Sequence, residues 1–309
     1  MLFDRRKAVL AKIETTYGTD SVPTGAANAI LTKDFELMPM EGEDESRNLD
    51  RPFMGGEPSI ATGLHRKVRF KVELQASGTL GAAPAWGPLM RGCGCAQTIN
   101  AGISVVYSAV STAFEALSIY FNQDGVNFAL IGARGTCRIE LDAQKIPHLV
   151  FEFTGLFVMP TDTAMPTVDV SGFQAPVVAN SANTPTFTLG AYAPILRSFK
   201  FDLGNKVEPR FLIRSEAIII ADRMETIEFT AEAKTMATWN YFLAARDSTT
   251  VALTLQHGTT AGRRCTLAAP LFQYQRPTGF RAQQGIIEAT LKGVPLPNAG
   301  NDQWTLTLT

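Results

Sequence analysis

Two stretches of this 309-residue chain run through the same order of elements. An alternating strand, a Trp-centred helix, a run of strands and a second alternating strand occupy residues 30–160 and recur in 195–297. Phe35-Glu36-Leu37 matches Phe201-Asp202-Leu203, and Val68, Phe70, Val72 and Glu73 match Ile227, Phe229, Ala231 and Glu232. The helical stretch at Trp86 matches that at Trp239, and Glu152, Thr154 and Val158 match Glu288, Thr290 and Val294. Identity is low, and any two β-rich halves can be laid over one another, so the shared order carries the argument. A duplicated β unit points to a chain that builds a symmetric object rather than one housing a single reaction centre.

Period-2 alternation dominates. Val68, Phe70, Val72 and Leu74 alternate with Arg69, Lys71, Glu73 and Gln75, and similar patterns run through 117–122, 137–142, 149–153, 227–231, 251–255, 287–291 and 304–308. Each reads as a strand with one face on a core and one face polar. Together they predict antiparallel sheets packed as sandwiches or small barrels. Helical patterning is sparse. Ala85 to Arg91 reads as one short helix with Pro88 in its first turn. Met236 to Arg246 reads as another, with Trp239, Phe242 and Leu243 packed on the core. Residues 5–17 form a third candidate.

Residues 38–64 read as a long charged loop: Glu41-Gly42-Glu43-Asp44-Glu45, then Arg47, Asp50, Arg51, Pro52, Gly55-Gly56 and Pro58. A structureless stretch of that length inside a compact domain is usually functional. Residues 204–222 are its shorter counterpart. Residues 160–194, rich in Pro, Thr, Ala, Ser and Asn, join the halves, with a short strand expected at Thr186-Phe187-Thr188-Leu189.

Bulk properties exclude several classes. Hydrophobic residues make up 45% and charged residues 18%, with a net charge of −1. That composition builds a full core and carries no basic stripe for nucleic acid. Cys93, Cys95, Cys137 and Cys265 read as reduced, partly buried thiols, and His65, His148 and His257 are too scattered to complete a metal site with them. The apolar stretch Ala8-Val9-Leu10-Ala11 is too short for a signal sequence, and no run nears the ~20 apolar residues of a membrane helix. The expectation is a chain neither exported by that route nor embedded in a membrane.

No catalytic constellation emerges. There is no nucleophile elbow, no phosphate loop ending in Lys-Ser or Lys-Thr, and no His-Glu-x-x-His. Gly132-Ala133-Arg134-Gly135 reads as a glycine-flanked turn. No catalytic, cofactor or metal residue is assigned.

The segment Lys12-Ile13-Glu14-Thr15-Thr16-Tyr17-Gly18-Thr19-Asp20, followed by Pro23-Thr24 and Ala27-Asn28-Ala29-Ile30, resembles the opening of tail tube proteins from long-tailed bacteriophages. The likeness continues through Arg51-Pro52-Phe53, Val72-Glu73-Leu74, Ala83-Pro84-Ala85-Trp86-Gly87-Pro88-Leu89 and Gly132-Ala133-Arg134-Gly135-Thr136. It ends with Ile146-Pro147, Phe151-Glu152-Phe153-Thr154-Gly155-Leu156 and Pro160-Thr161-Asp162. It covers most of the first 162 residues; the second half resembles the family mainly through the repeat.

The resemblance implies a mainly β chain of two tandem tail-tube-type β-sandwich or barrel domains, each flanked by a short α-helix. Residues 1–160 would form the first domain, 161–194 a linker, and 195–309 the second. It implies rings of sixfold or pseudo-sixfold symmetry, stacked into a hollow virion tube through which DNA leaves without specific binding. With two domains per chain, three chains complete a ring. The lumen candidates are 66–75 and 225–233. The long loop is expected to reach neighbouring subunits through Glu41, Glu43, Asp44, Glu45, Arg47, Asp50, Arg51 and Phe53. Partners would be further copies of the chain, then the tail terminator, tape measure and baseplate or tail-tip proteins of a sheathless, siphovirus-like tail assembled in the host cytoplasm. The competing readings are a single-ring terminator or baseplate protein and a ligand-binding β-sandwich. Long filaments would separate the first from a tube protein, and exposed aromatic platforms would mark the second.

Overall fold

The computed structural model describes residues 2–309. The first half contains β1 (Lys7–Ile13), α1 (Gly25–Asn28), β2 (Ala29–Ile30), β3 (Lys33–Ser46), β4 (Ser59–Glu73), α2 (Gly87–Gly92), β5 (Cys95–Asn100), β6 (Ser104–Ala109), β7 (Leu117–Gln123), β8 (Val126–Asp142), β9 (His148–Phe157) and β10 (Thr161–Asp162). The second contains β11 (Thr186–Leu189), β12 (Leu196–Asp202), β13 (Asn205–Leu212), β14 (Ser215–Arg223), β15 (Thr226–Glu232), α3 (Tyr241–Arg246), β16 (Thr250–His257), β17 (Cys265–Tyr274), β18 (Gly279–Gln283), β19 (Ile286–Pro295) and β20 (Thr305–Leu308). The chain is mainly β, as its alternation predicts.

One antiparallel layer runs β3-β4-β9-β8-β12-β15-β19-β18. It consists of two four-strand runs of identical order, β3-β4-β9-β8 and β12-β15-β19-β18, fused where β8 pairs with β12. The second layer runs β5-β6-β20-β17-β16-β11. A side extension, β7-β1-β2, continues from the start of β8, and β10 caps that start on its other side.

Inward residues of both layers form one core. Phe70, Phe151, Phe153, Phe199, Phe201 and Phe229 line the first layer, and Tyr107, Leu255, Leu267 and Leu306 line the second; all are buried. Rings bridge the layers: Phe201 packs edge-on to Trp304 at 5.1 Å, and Phe187 to Phe229 at 5.2 Å. Each buried aromatic side chain removes a large apolar area from water, which makes this seam the main source of cohesion.

Four expectations need correction. Residues 5–17 are not a helix. Lys7–Ile13 pairs along its whole length with β7, and Val9, Leu10 and Ala11 are buried consecutively; tertiary pairing overrides a weak helical pattern. Residues 38–64 are not structureless. They form a β-hairpin whose ladder continues out to Ser46↔Ser59, leaving only 47–58 irregular. Gly132-Ala133-Arg134-Gly135 is no turn but a bulge inside β8, where the register against β9 shifts between Ile131 and Arg134. The helix expected over 236–246 begins only at Tyr241, behind an Asn240 cap whose side chain accepts from the Leu243 amide at 2.9 Å. Trp239 before it is buried, but Phe242 and Leu243 are exposed rather than packed on the core.

The C-terminal strand stitches the halves together. β20 lies between β6 of the first half and β17 of the second. Just before it, the indole of Trp304 and the amide of Gln303 both donate to the buried Glu225 carboxylate, at 3.1 and 2.8 Å. Leu306→Ala removes a buried side chain from that shared strand. We expect a loss of about 2–5 kcal/mol and, because the strand belongs to both halves, one common denaturation transition displaced to lower denaturant. Tryptophan fluorescence and circular dichroism during guanidinium unfolding check this; a transition split by half would contradict it.

Candidate assembly interface

The eight-strand layer has a polar outer face. Strand register sets Glu73, His148, Glu140, Lys200, Glu228 and Lys292 in one row across six strands. His148 separates the two carboxylates Glu73 and Glu140, and from Glu140 onward the signs alternate. Burial, and then the nearby Lys33 charge, push the His148 pKa down, so this imidazole is neutral at pH 7. Further pairs tie the face: Arg138–Asp202 at 3.0 Å, Lys71–Asp34 at 2.9 Å and Arg281–Glu288 at 3.0 Å. Cross-strand opposite charges each stabilise by a few tenths of a kcal/mol to ~1 kcal/mol. Their larger effect is to leave a charged but locally balanced surface. The candidate lumen segments 66–75 and 225–233 fall on β4 and β15, within this layer.

Both ends of the layer are open. Among the described residues, β3 pairs only with β4 and β18 only with β19. Unpaired strand edges invite pairing with another chain.

The hairpin between β3 and β4 projects as an arm. Glu41, Glu43, Asp44 and Glu45 lie on its ladder, and Arg47, Asp50, Arg51 and Phe53 at its tip; all eight are exposed. None of them has an ion-pair partner among the described residues. The structure thus brings the acidic four onto one rigid ladder and leaves the others on the irregular tip.

Arg66 anchors the root of the arm. It is fully buried, its Nε donates to the Pro39 carbonyl at 2.8 Å and its Nη1 to the Ala129 carbonyl. The guanidinium lies over the Phe157 ring at 4.9 Å and the Phe128 ring at 5.6 Å. Burial brings its pKa down to about 10, so it remains charged at neutral pH, held by carbonyls and ring faces. Its parity with Val68 and Phe70 places it on the inward face of β4.

The hairpin β13–β14 is the counterpart of the arm, but it folds back onto the first half. Ile218 and Ile220 are buried there. Arg134 donates to the Ile218 carbonyl at 2.8 Å and stacks on Tyr17 at 4.7 Å, while the Ile218 amide donates to the Tyr17 hydroxyl at 2.6 Å. Arg223 Nη2 donates to the Gly94 carbonyl at 2.7 Å, and Asn205 Nδ2 to those of Cys93 and Gly135 at 2.6 and 2.9 Å. The bulge explains the motif: Gly132 adopts φ +57°, and a Cβ there would meet the Tyr17 ring at 2.9 Å. Buried Glu14 accepts from the amides of Gly18 and Gly132 and from the Ser118 hydroxyl. The motif is therefore a seat for the second hairpin.

No group of His, Cys, Asp and Glu suited to a metal occurs among the described residues, and no helix among them is long and apolar enough to cross a membrane. All four cysteines are buried, and burial pushes the Cys95 and Cys265 thiols up to about 12, where they are poor nucleophiles at neutral pH.

Arg66→Ala should destabilise the chain by roughly 1–3 kcal/mol, since the buried Ala129 carbonyl loses its donor, while the Pro39 carbonyl, on an exposed residue, can turn to water. It should also raise amide exchange at Met38 and Met40, which flank Pro39, well above exchange at β9. Hydrogen-exchange mass spectrometry reads both; equal changes in the arm and β9 would contradict an anchoring role.

No curated protein matches the chain. The sequence profile of the family described as phage tail tube protein matches residues 4–296, nearly the whole chain. That match joins a mainly β sandwich with open edges, a balanced polar face and a projecting arm: the chain belongs to the phage tail tube protein family, a family of structural components of the virion tail.

Proposed function

We propose that three copies close into a ring with pseudo-sixfold symmetry, that such rings stack into the hollow tail tube, and that DNA passes through it during ejection. The observation that carries this reading is the β8–β12 seam. It already joins two four-strand runs of identical order edge to edge within one chain. The open edges β3 and β18 occupy the equivalent places at the two ends of the layer, so the same join between chains closes three runs of eight strands into a barrel without edges. Each half then serves as one tube domain, residues 1–160 and 195–309, with 161–194 linking them.

In that barrel the polar face of the layer lines the lumen. Phosphate contacts by Lys and Arg are the dominant source of DNA affinity. A wall on which most cations face a carboxylate has few free cations to grip the backbone, and passage stays fast. Stacking is a heterologous contact that does not close, and it yields a filament. The arm supplies the staple through Glu41, Glu43, Asp44, Glu45, Arg47, Asp50, Arg51 and Phe53. Exposed ion pairs contribute only ~0–1 kcal/mol each, so Phe53 and its apolar neighbour Met54 carry more of the stacking energy. The tube is assembled in the host cytoplasm, ends at a terminator and a tail-tip or baseplate protein, holds a tape measure while it forms, and has no sheath.

Cryo-electron microscopy of the assembled tube is expected to show three chains per ring; six identical chains would overturn the duplication reading, and isolated rings without tubes would favour a terminator or baseplate part. Deleting residues 47–58, with a two-residue turn in their place, should leave rings that sediment as trimers but no longer stack. Normal tubes from that variant would remove the tip from the stacking contact.

A further inference from the structure

An uncovered apolar patch lies at the far end of the second half. Phe242 and Leu243 of α3 and Phe280 and Ile287 of β18 and β19 are between 44% and 57% exposed. The Phe242 and Phe280 rings sit 6.1 Å apart. Phe280 stands opposite Ala289, and Ala282 opposite Ile287, so Phe280 and Ile287 continue the inward, core-lining face on which Ala289 is fully buried. The inner face of the layer therefore runs past its cover at this end, beyond the stretch where β19 pairs with β17 of the second layer.

The first half shows what such a place receives. Its penultimate strand, β8, is bordered by β12, and the hairpin β13–β14 that follows β12 closes over β8 and the end of α2. Its contacts there are Asn205 with Cys93 and Gly135, and Arg223 with Gly94. The penultimate strand of the second half is β18, and its helix is α3; these two elements make the patch. By the order of the runs, the hairpin that belongs there is the one after β3. In its own chain that hairpin, beyond a root contact of His65 with Phe211 at 6.2 Å, stands in solvent, with Met40 and Ile60 exposed on its ladder.

We propose that the patch formed by Phe242, Leu243, Phe280 and Ile287 is the docking site for the β3–β4 arm of a second copy, seated as β13–β14 is seated on the first half. This rests on the ring reading above and specifies its contact. The ladders agree in reach: the arm beyond Met38 continues to Ser46, and β13 runs from Asn205 to Leu212, about 25–30 Å each at ~3.3 Å per residue. The charges agree as well. The ladder carries Glu41, Glu43, Asp44 and Glu45, while Arg276, exposed and without an ion-pair partner among the described residues, lies in the segment entering β18. The two hairpins differ at their ends. β13 and β14 are joined by Ile213-Arg214, whereas the arm carries the additional tip 47–58. The ladder thus makes the lateral contact within a ring, and only the tip is left to reach the next ring.

The test places a benzophenone amino acid at position 242 or 280 in the full chain and irradiates assembled particles made from equal parts light and heavy isotope-labelled copies. Cross-links from both positions should join light to heavy copies and fall within 38–46 or 59–65. Assembled particles whose cross-links fall elsewhere, or stay within one copy, overturn the docking and leave the ring reading standing. A chain that never leaves the monomer under any assembly condition overturns the ring reading and the docking with it. The double variant Phe242→Ser, Leu243→Ser is expected to keep the wild-type unfolding midpoint, since neither side chain is in the core, and to lose at least tenfold in assembled mass. Unchanged assembly would overturn the proposal.

Discussion

The five backbone pairs between β8 and β12, from Arg138↔Asp202 to Asp142↔Ser198, are the contact on which the rest depends. They turn two four-strand runs into one layer with a single inner face. Without them Phe199 and Phe201 would border open water instead of Leu141 and Ile139. A second stitch, β20 between β6 and β17, holds the covering layer to both halves. The two stitches lie on opposite layers, so rotation of one half against the other would break both at once. That rigidity suits an object whose inner wall must stay smooth.

The price of joining two halves edge to edge is polar groups trapped at the seams, and several are satisfied by specific residues. Glu225 accepts from Trp304 and Gln303. Asn205 reaches two carbonyls of the first half, and Glu14 collects two amides and a hydroxyl at the β8 bulge. Removing any one strands partners in a dry environment at roughly 1–3 kcal/mol each. These residues specify which surfaces meet, while the aromatic core supplies most of the cohesion.

Alternation made the sandwich strands legible, because one buried and one wet face leave a period of two in the chain. The short strand at Thr186 was readable for the same reason. The arm was not. Its ladder from Glu41 to Ser46 buries neither face, so no apolar period marks it, and a run of acids looks the same in a hairpin as in a coil. β1 was missed for the converse reason: Val9, Leu10 and Ala11 are all buried, and a strand covered on both faces loses its alternation. The GARG motif was visible as a motif, but its use depends on Tyr17 and Ile218, which are distant in sequence and adjacent only after folding. Of the proposed contact residues, the chain showed the acids and Phe53 of the arm. It hid their counterpart, since Phe242 and Leu243 carry the spacing of core residues and only the fold reveals that nothing in their own chain covers them.

The two hairpins explain why duplication does not give two equal domains. Each interrupts the first strand pair of its run, and each carries a ladder of similar length. The second is consumed inside the chain, where Ile218 and Ile220 are buried against the first half, and it ends in a two-residue turn that has nothing further to reach. The first meets the second hairpin only at its root, where His65 lies 6.2 Å from Phe211, because the run it would close over lies at the far end of the layer. A chain with one satisfied and one unsatisfied hairpin, and with one covered and one uncovered seat, is complementary to itself in a head-to-tail sense. In the proposed ring, neighbouring copies satisfy that complementarity. The open edges β3 and β18 are satisfied there in the same way, through backbone groups. Two independent sets of contacts, one polar and one apolar, are thus accounted for by the one arrangement of copies proposed above.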